Sequence, residues 1–200
     1  KIIDYFKIKR IISIISDAGT PLISDPGNII VNACIDNKIK IIPIPGVSAV
    51  TAAVSISGFS NDFYFKGFLP NKVNDLESNF KHMSNMDCSL VFFVSSKKIK
   101  KYVSLIKKYF DGRKILICRE ITKYYEEFYR SEVKYLNIPD NDLKGEITVV
   151  ISEKNKLKKS SENLSESDKV LIKKLINKVS VKDISEIIKF KSNISKSKIY

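Results

Sequence analysis

The sequence predicts an α/β protein: two α/β units followed by a small helical segment. Three observations carry that reading. Short apolar runs rich in β-branched residues alternate with longer stretches of helical period. Four of the six prolines and three of the seven glycines crowd between Asp17 and Gly46, close behind two of those runs. From Lys154 the chain turns Lys/Ser/Glu/Asn-rich and loses its apolar period before two amphipathic stretches close it.

Taken in order, Ile11–Ser16 is a nearly continuous β-branched run and reads as a strand covered on both faces. It enters a loop, Asp17–Gly27. Asn28–Asn37 has helical spacing, with Ile29, Ile30, Ala33 and Cys34 along one side. Lys38–Ile44 reads as a second strand, and Gly46 leads into an Ala/Val-rich helix, Ser48–Ser57. Gly58–Asp62 breaks the pattern, so residues 1–62 are the first unit and 63–153 the second. Phe63–Pro70 is aromatic and extended. Val73–Met86 and Lys97–Phe110 read as helices; Leu90–Ser95, Lys114–Arg119 and Ile147–Ser152 read as strands. Tyr124–Tyr135 follows neither period. Residues 154–167 read as a linker and 168–200 as a helical tail. In the tail, Asp168–Val179 is amphipathic, Ser180 with Asp183 forms a capping box for a helix running to Phe190, and Ser192–Tyr200 begins a third helix.

Composition narrows the chemistry. The apolar fraction of 44% suits a globular chain. Lys1–Ile8 lacks the apolar block of a signal peptide, and no uncharged apolar run reaches spanning length, so a cytoplasmic setting without membrane contact is expected. Cys34, Cys88 and Cys118 are far apart among apolar neighbours and read as buried thiols. His82 is the single histidine, which argues against a histidine-based zinc site or catalytic triad; no metal is expected. The formal net charge of +13 is uneven: Lys154–Tyr200 carries 13 lysines against 5 acids. That basic tail suits a polyanion such as RNA, although only four residues are arginine.

The candidate site lies in the loops. Ser16-Asp17-Ala18-Gly19 and Ser24-Asp25-Pro26-Gly27 repeat one pattern eight residues apart. Glycine lets a ligand approach the backbone, and proline sets the loop's shape in advance. Ligands of open α/β sheets bind beyond the carboxyl ends of strands. Asp17 and Asp25 offer hydrogen-bond acceptors there. A rigid structural loop built on Asx turns remains the competing reading.

The order of motifs is informative. Ser-Asp-Ala-Gly-Thr-Pro-Leu-Ile-Ser-Asp-Pro-Gly from Ser16 to Gly27 is followed by Pro-Ile-Pro-Gly-Val-Ser-Ala from Pro43 to Ala49. Gly67-Phe68-Leu69-Pro70, Arg119-Glu120-Ile121-Thr122-Lys123 and Lys144-Gly145-Glu146 come after. This series resembles the ribosomal RNA small-subunit methyltransferase I family of the tetrapyrrole-methylase superfamily, clearly from Ile11 to Ser152. The resemblance implies two α/β domains of the tetrapyrrole-methylase type, with S-adenosylmethionine in the cleft between them, usually in a homodimer. It implies methylation of a cytidine ribose 2′-hydroxyl in small-subunit (16S) ribosomal RNA. The family's early Thr-Pro-Ile-Gly-Asn and Glu-Asp-Thr-Arg motifs are not in this chain, so the first domain is expected to be incomplete and the chain a fragment. Where the family has Tyr-Glu-Ser and His-Arg, this chain has Phe93-Val94-Ser95-Ser96-Lys97-Lys98.

By that resemblance Asp17, Ala18, Gly19, Thr20, Pro45, Gly46, Val47, Ser48 and Ala49 contact the cofactor, with Phe93 and Gly145 on the opposite wall. Lys123, Glu120 and Asp25 are the candidates for proton transfer and charge stabilisation. Lys66, Lys72, Lys97 and Lys98 are the candidates for gripping RNA, together with the tail. Two other readings stay open: a methylase acting on a tetrapyrrole, and a non-catalytic RNA- or ribosome-binding protein on the same fold. Lysine contacts to phosphate release counterions, so affinity for small-subunit RNA should fall steeply with salt. A filter-binding series is the check; a nearly flat response would remove RNA as the partner.

Overall fold

The computed structural model describes residues 4–5, 11–138, 144–155, 166–176 and 179–192. The chain divides into two compact units, Lys1–Lys154 and Asn155–Tyr200. In the first, the helices are α1 (Asn28–Asp36), α2 (Ala49–Ser57), α3 (Val73–Ser84) and α4 (Ser96–Phe110). The strands are β1 (Phe63–Phe68), β2 (Ser89–Ser95), β3 (Lys114–Arg119), β4 (Glu127–Glu132) and β5 (Glu146–Ile151). They form one mixed sheet in the order β1-β2-β5-β3-β4. β1 and β2 run parallel, joined through α3, and the remaining pairings are antiparallel.

The alternation of side chains along the inner strands explains why they read as continuous apolar runs. Leu90, Phe92 and Val94 of β2, Ile115 and Ile117 of β3, and Ile147, Val149 and Ile151 of β5 share one face. Leu76, Phe80 and Met83 of α3 and Ile99, Tyr102, Ile106 and Phe110 of α4 cover it. Val91, Leu116, Cys118 and Val150 point the other way, under Val50 and Ala53 of α2. Burying each such side chain contributes about 2 kcal/mol, so both faces of the three inner strands are tied to helices. The small residues of α2 let its backbone approach the sheet closely. Burial pushes the Cys118 thiol up to about 12, which keeps it protonated and inert.

Two expected strands are not formed. Residues 11–16 and 39–48 carry no ladder pairing, and Ile11, Ile15 and Ile44 are 96%, 88% and 85% exposed. Their β-branched composition favours extended backbone. A strand also needs a neighbouring strand to take its N–H and C=O groups, and no described strand lies against these segments. The opposite difference occurs at β4, within the stretch that followed neither period. Its register with β3 pairs Cys118 with Phe128 and Arg119 with Glu127. It is an edge strand with mostly exposed side chains, so it carries no apolar period to read. The proposed boundary between residues 62 and 63 falls inside the larger unit.

The smaller unit holds α5 (Glu166–Leu175) and α6 (Val181–Ser192). Ser180 caps α6: its hydroxyl accepts from the Asp183 N–H at 3.2 Å and donates to the Asp183 carboxylate at 2.7 Å. Most of the expected linker, residues 156–165, and the expected third helix from 193 onward lie outside the described residues.

One buried cation ties the sheet to its helices. Arg113, 4% exposed, donates to the carbonyls of Ser84 and Met86 at 2.9 Å and of Ser152 at 3.2 Å. Its guanidinium also lies 5.6 Å from the Phe110 ring centroid. A single planar fork thus satisfies the end of α3 and the residue following β5. Arg113→Ala leaves three carbonyls without that donor and should cost about 3 kcal/mol, read as a lowered urea midpoint. Arg113→Lys should recover only part of it.

Candidate functional site

The Asp17–Gly27 loop is shaped by its own side chains. The Ser16 hydroxyl donates to the Asp25 carboxylate and accepts from the Ala18 N–H at 3.4 Å. This contact joins the two repeated tetrapeptides. Gly19, Leu22, Ser24 and Gly27 all have positive φ. Leu22 and Ser24 hold this conformation without glycine's freedom, a local strain of the kind found at ligand sites. A Cβ built on Gly67 would meet the Ser24 hydroxyl oxygen at 2.8 Å. Glycine at that position therefore lets the loop rest against the end of β1.

The second loop meets the first. The Thr20 hydroxyl donates to the Val47 carbonyl at 3.0 Å across 27 residues of sequence. Around that bond, Asp17, Ala18, Gly19, Pro45, Gly46 and Val47 are exposed, while Thr20, Ser48 and Ala49 are half-buried. Among the described residues, nothing lies within 4 Å of where a Cβ would stand on Gly19 or Gly46. Both backbones are open to a ligand.

A third cluster joins two further motifs. The Glu120 carboxylate accepts from the Glu146 N–H at 2.7 Å and from Lys123 Nζ at 3.3 Å. Lys123 Nζ also reaches the Glu146 carboxylate at 3.1 Å. Arg119 Nε donates to the Lys144 carbonyl at 2.8 Å. The carboxylate of Glu120 sits 2.4 Å from where a Cβ would stand on Gly145, whose φ is +99°. This crowding accounts for the glycine without invoking a ligand. The Glu146 amide, then Lys123, hold the Glu120 carboxyl below its ordinary value of 4.5, against some opposing burial. The Glu146 and Glu120 carboxylates raise the Lys123 ammonium above its ordinary value. Glu120 therefore fixes the loop as an ionised acceptor, and Lys123 stays charged.

The remaining expected residues divide. Phe93 and Lys98 line one cleft with Phe68 and Asn71, where Lys98 Nζ donates to Asn71 Oδ1. Lys66 is half-buried on β1; Lys72 and Lys97 are exposed at the starts of α3 and α4. Asp25 belongs to the Ser16 contact and Glu120 to the Lys123–Glu146 contact; no described hydrogen bond links these groups. Sequence reasoning missed Asn71, and named Ser16 and Glu146 only as members of their motifs, without these contacts. Ser16 was visible in the repeated tetrapeptide, whereas Asn71 is recruited by a helix that starts 25 residues later.

Open glycine loops set beside the ends of a mixed sheet define an α/β protein of the ligand-binding kind. Residues 2–137 match the family model described as Tetrapyrrole (Corrin/Porphyrin) Methylases. The chain belongs to that family, in the group named ribosomal RNA small subunit methyltransferase I. The relative so named from Rickettsia prowazekii is 34% identical over 202 residues, covering 100% of this chain and 72% of its own length. The one from Leptospira biflexa is 34% identical, covering 78% of this chain and 65% of its own. The crystal structure of the methyltransferase CobJ superposes with a TM-score of 0.52 at 18% identity, covering 68% of this chain and 62% of that one. It supports the fold. Among the described residues, no helix is long and apolar enough to cross a membrane, and no group of three or more His, Cys, Asp or Glu could hold a metal.

The depressed pKa of Glu120 has a defined sign. Its contribution is fully present above the ordinary carboxylate value and is lost as pH falls through the lower folded value. In an NMR titration, the Glu120 carboxyl should titrate below 4.5 and the Glu146 amide should report the same midpoint. Glu120→Gln should abolish that component. A Glu120 midpoint at or above the ordinary value would refute the bonded carboxylate.

Proposed function

We propose that this chain is the methyl-transferring part of an S-adenosylmethionine-dependent ribosomal RNA methyltransferase, acting on a cytidine ribose 2′-hydroxyl of small-subunit (16S) RNA. The Thr20–Val47 hydrogen bond carries the reading, because it joins two loops far apart in sequence around open backbone at Gly19 and Gly46. The names of the relatives support the RNA substrate. Assembly as a homodimer in the cytoplasm, and a division at residue 62 that puts the cofactor loops in a first domain, belong to the same proposal.

The donor set suits the cofactor. S-adenosylmethionine supplies an electrophilic methyl group on a sulfonium whose charge disappears during transfer. A site should therefore avoid strong anionic stabilisation at sulfur. Ala18, Gly19, Thr20 and Pro45–Ala49 offer backbone groups and small side chains, and the backbone at Gly19 and Gly46 is uncrowded. Asp17 is exposed beside them and suits a hydroxyl or amine of the ligand.

The remaining work is to orient the ribose and remove its hydroxyl proton. Lys123 remains protonated, so it acts as a fixed cation, holding a phosphate or stabilising the developing oxyanion. Glu120 acts as its positioning residue: a carboxylate already bonded to Lys123 and the Glu146 amide is a weak base. Proton acceptance falls to Asp25, whose Ser16 contact holds the carboxylate in place. Lys66, Lys72 and Lys97 add charge for the RNA backbone.

Tritium-methyl transfer to small ribosomal subunits, run beside a uroporphyrinogen or precorrin, tests the substrate. Label entering only the tetrapyrrole would overturn the RNA reading. In the same assay, Lys123→Ala should lower turnover about 100-fold with little change in cofactor affinity. Unchanged turnover would remove Lys123 from the mechanism.

A further inference from the structure

We propose that the cleft where β1 and β2 end against α4 is a single-nucleotide subsite for the RNA substrate. Lys98 and Asn71 take a phosphate, and the exposed face of Phe68 takes the base. The inference rests on the RNA reading above and gives it a second, separate contact point.

The cleft measures about 250 Å³ and is lined by Phe68, Asn71, Phe93, Ser95, Lys98 and Tyr102, among others. That is below the roughly 300–1,000 Å³ of pockets for drug-sized ligands, so it suits one nucleotide rather than a larger cofactor. Its floor is aromatic. Phe93 packs against Phe65 at 5.1 Å and Phe68 at 5.3 Å between ring centroids, with Phe68 tilted 58° to it. Phe68 is thus held from behind yet remains 62% exposed. A ring fixed in this way stacks on a base of any sequence.

The polar wall has an unbalanced charge. Lys98 is half-buried, and its described hydrogen bond goes to the Asn71 side-chain carbonyl, a neutral group. An ammonium lining a partly aromatic cleft, with only a neutral group as its described partner, suits an anionic ligand. With its oxygen occupied by Lys98, the Asn71 amide keeps its N–H donors for that same anion. Lys72 and Lys97 stand exposed at the adjoining helix starts and extend the positive field toward solvent. Tyr102 is held from the apolar side by its bond to the Pro70 carbonyl at 3.4 Å. Cation, amide and ring therefore share one opening at the ends of the parallel strand pair. An RNA nucleotide presents the matching phosphate and base.

The test titrates the whole protein with cytidine 5′-monophosphate and with cytidine, followed by amide NMR shifts. The monophosphate should move the amides of residues 68–71 and 95–98 and bind more tightly than cytidine. Lys98→Gln should weaken the monophosphate about tenfold and leave cytidine unchanged. Phe68→Ala, a change at an exposed side chain, should weaken both, and Lys98→Arg should retain phosphate binding. Absence of binding, or equal affinity of wild type and Lys98→Gln, overturns the subsite. So does competitive displacement by S-adenosylhomocysteine, which would give the cleft to the cofactor. Methyl transfer to small ribosomal subunits is measured alongside. If wild type methylates RNA but the monophosphate ignores Lys98, the subsite fails alone. If RNA is neither bound nor methylated while the monophosphate still depends on Lys98, the RNA reading fails and a nucleotide cleft stands.

Discussion

Two-sided burial of three inner strands is the constraint on which the larger unit depends. β2, β5 and β3 place alternate side chains into two separate cores, so neither face can slip by one residue without reversing both. That fixes the register, and the register fixes where each strand ends. The site loops inherit their positions from those ends. Arg119 leads out of β3 beside the start of β5, which is why Glu120 can reach the Glu146 amide.

Each loop is then held by a different chemistry. The Asp17–Gly27 loop uses a hydroxyl–carboxylate contact and four positive-φ positions. The Arg119–Lys123 loop uses a carboxylate threaded into the space beside a glycine. The first arrangement leaves glycine backbone open, and the second fills it. Of the two, the first is therefore the better receptor for a bulky ligand and the second the better frame for a fixed charge. This division of labour underlies the assignment of cofactor contact to one side and Lys123 to the other.

The departure from the family pattern at Phe93–Lys98 acquires a physical meaning in the same terms. β2 ends there, and the lysines that follow occupy the first turn of α4. Lys98 bonds to Asn71 and lines one cleft with Phe68; no carboxylate among the described residues is bonded to it. The subsite proposed there gives that cation an anion and sets it beside an aromatic surface. It differs from the balanced Glu120–Lys123–Glu146 cluster, where charges already meet.

The sequence by itself determined the local and the periodic. Apolar runs marked β2, β3 and β5, helical spacing marked α1 to α4, and Ser180 with Asp183 marked the start of α6. The Pro/Gly concentration marked the loops. Tertiary structure decided what depends on neighbours. Ile11–Ser16 and Lys38–Ile44 have strand composition but no ladder partner among the described residues, and β4 is a strand because β3 is beside it rather than because its residues alternate. The meeting of Thr20 with Val47, of Glu120 with Gly145 and of Lys98 with Asn71 was likewise invisible in the chain. Periodicity reports which face a residue shows, whereas a contact across 25 to 27 residues requires both ends to be placed by the same core.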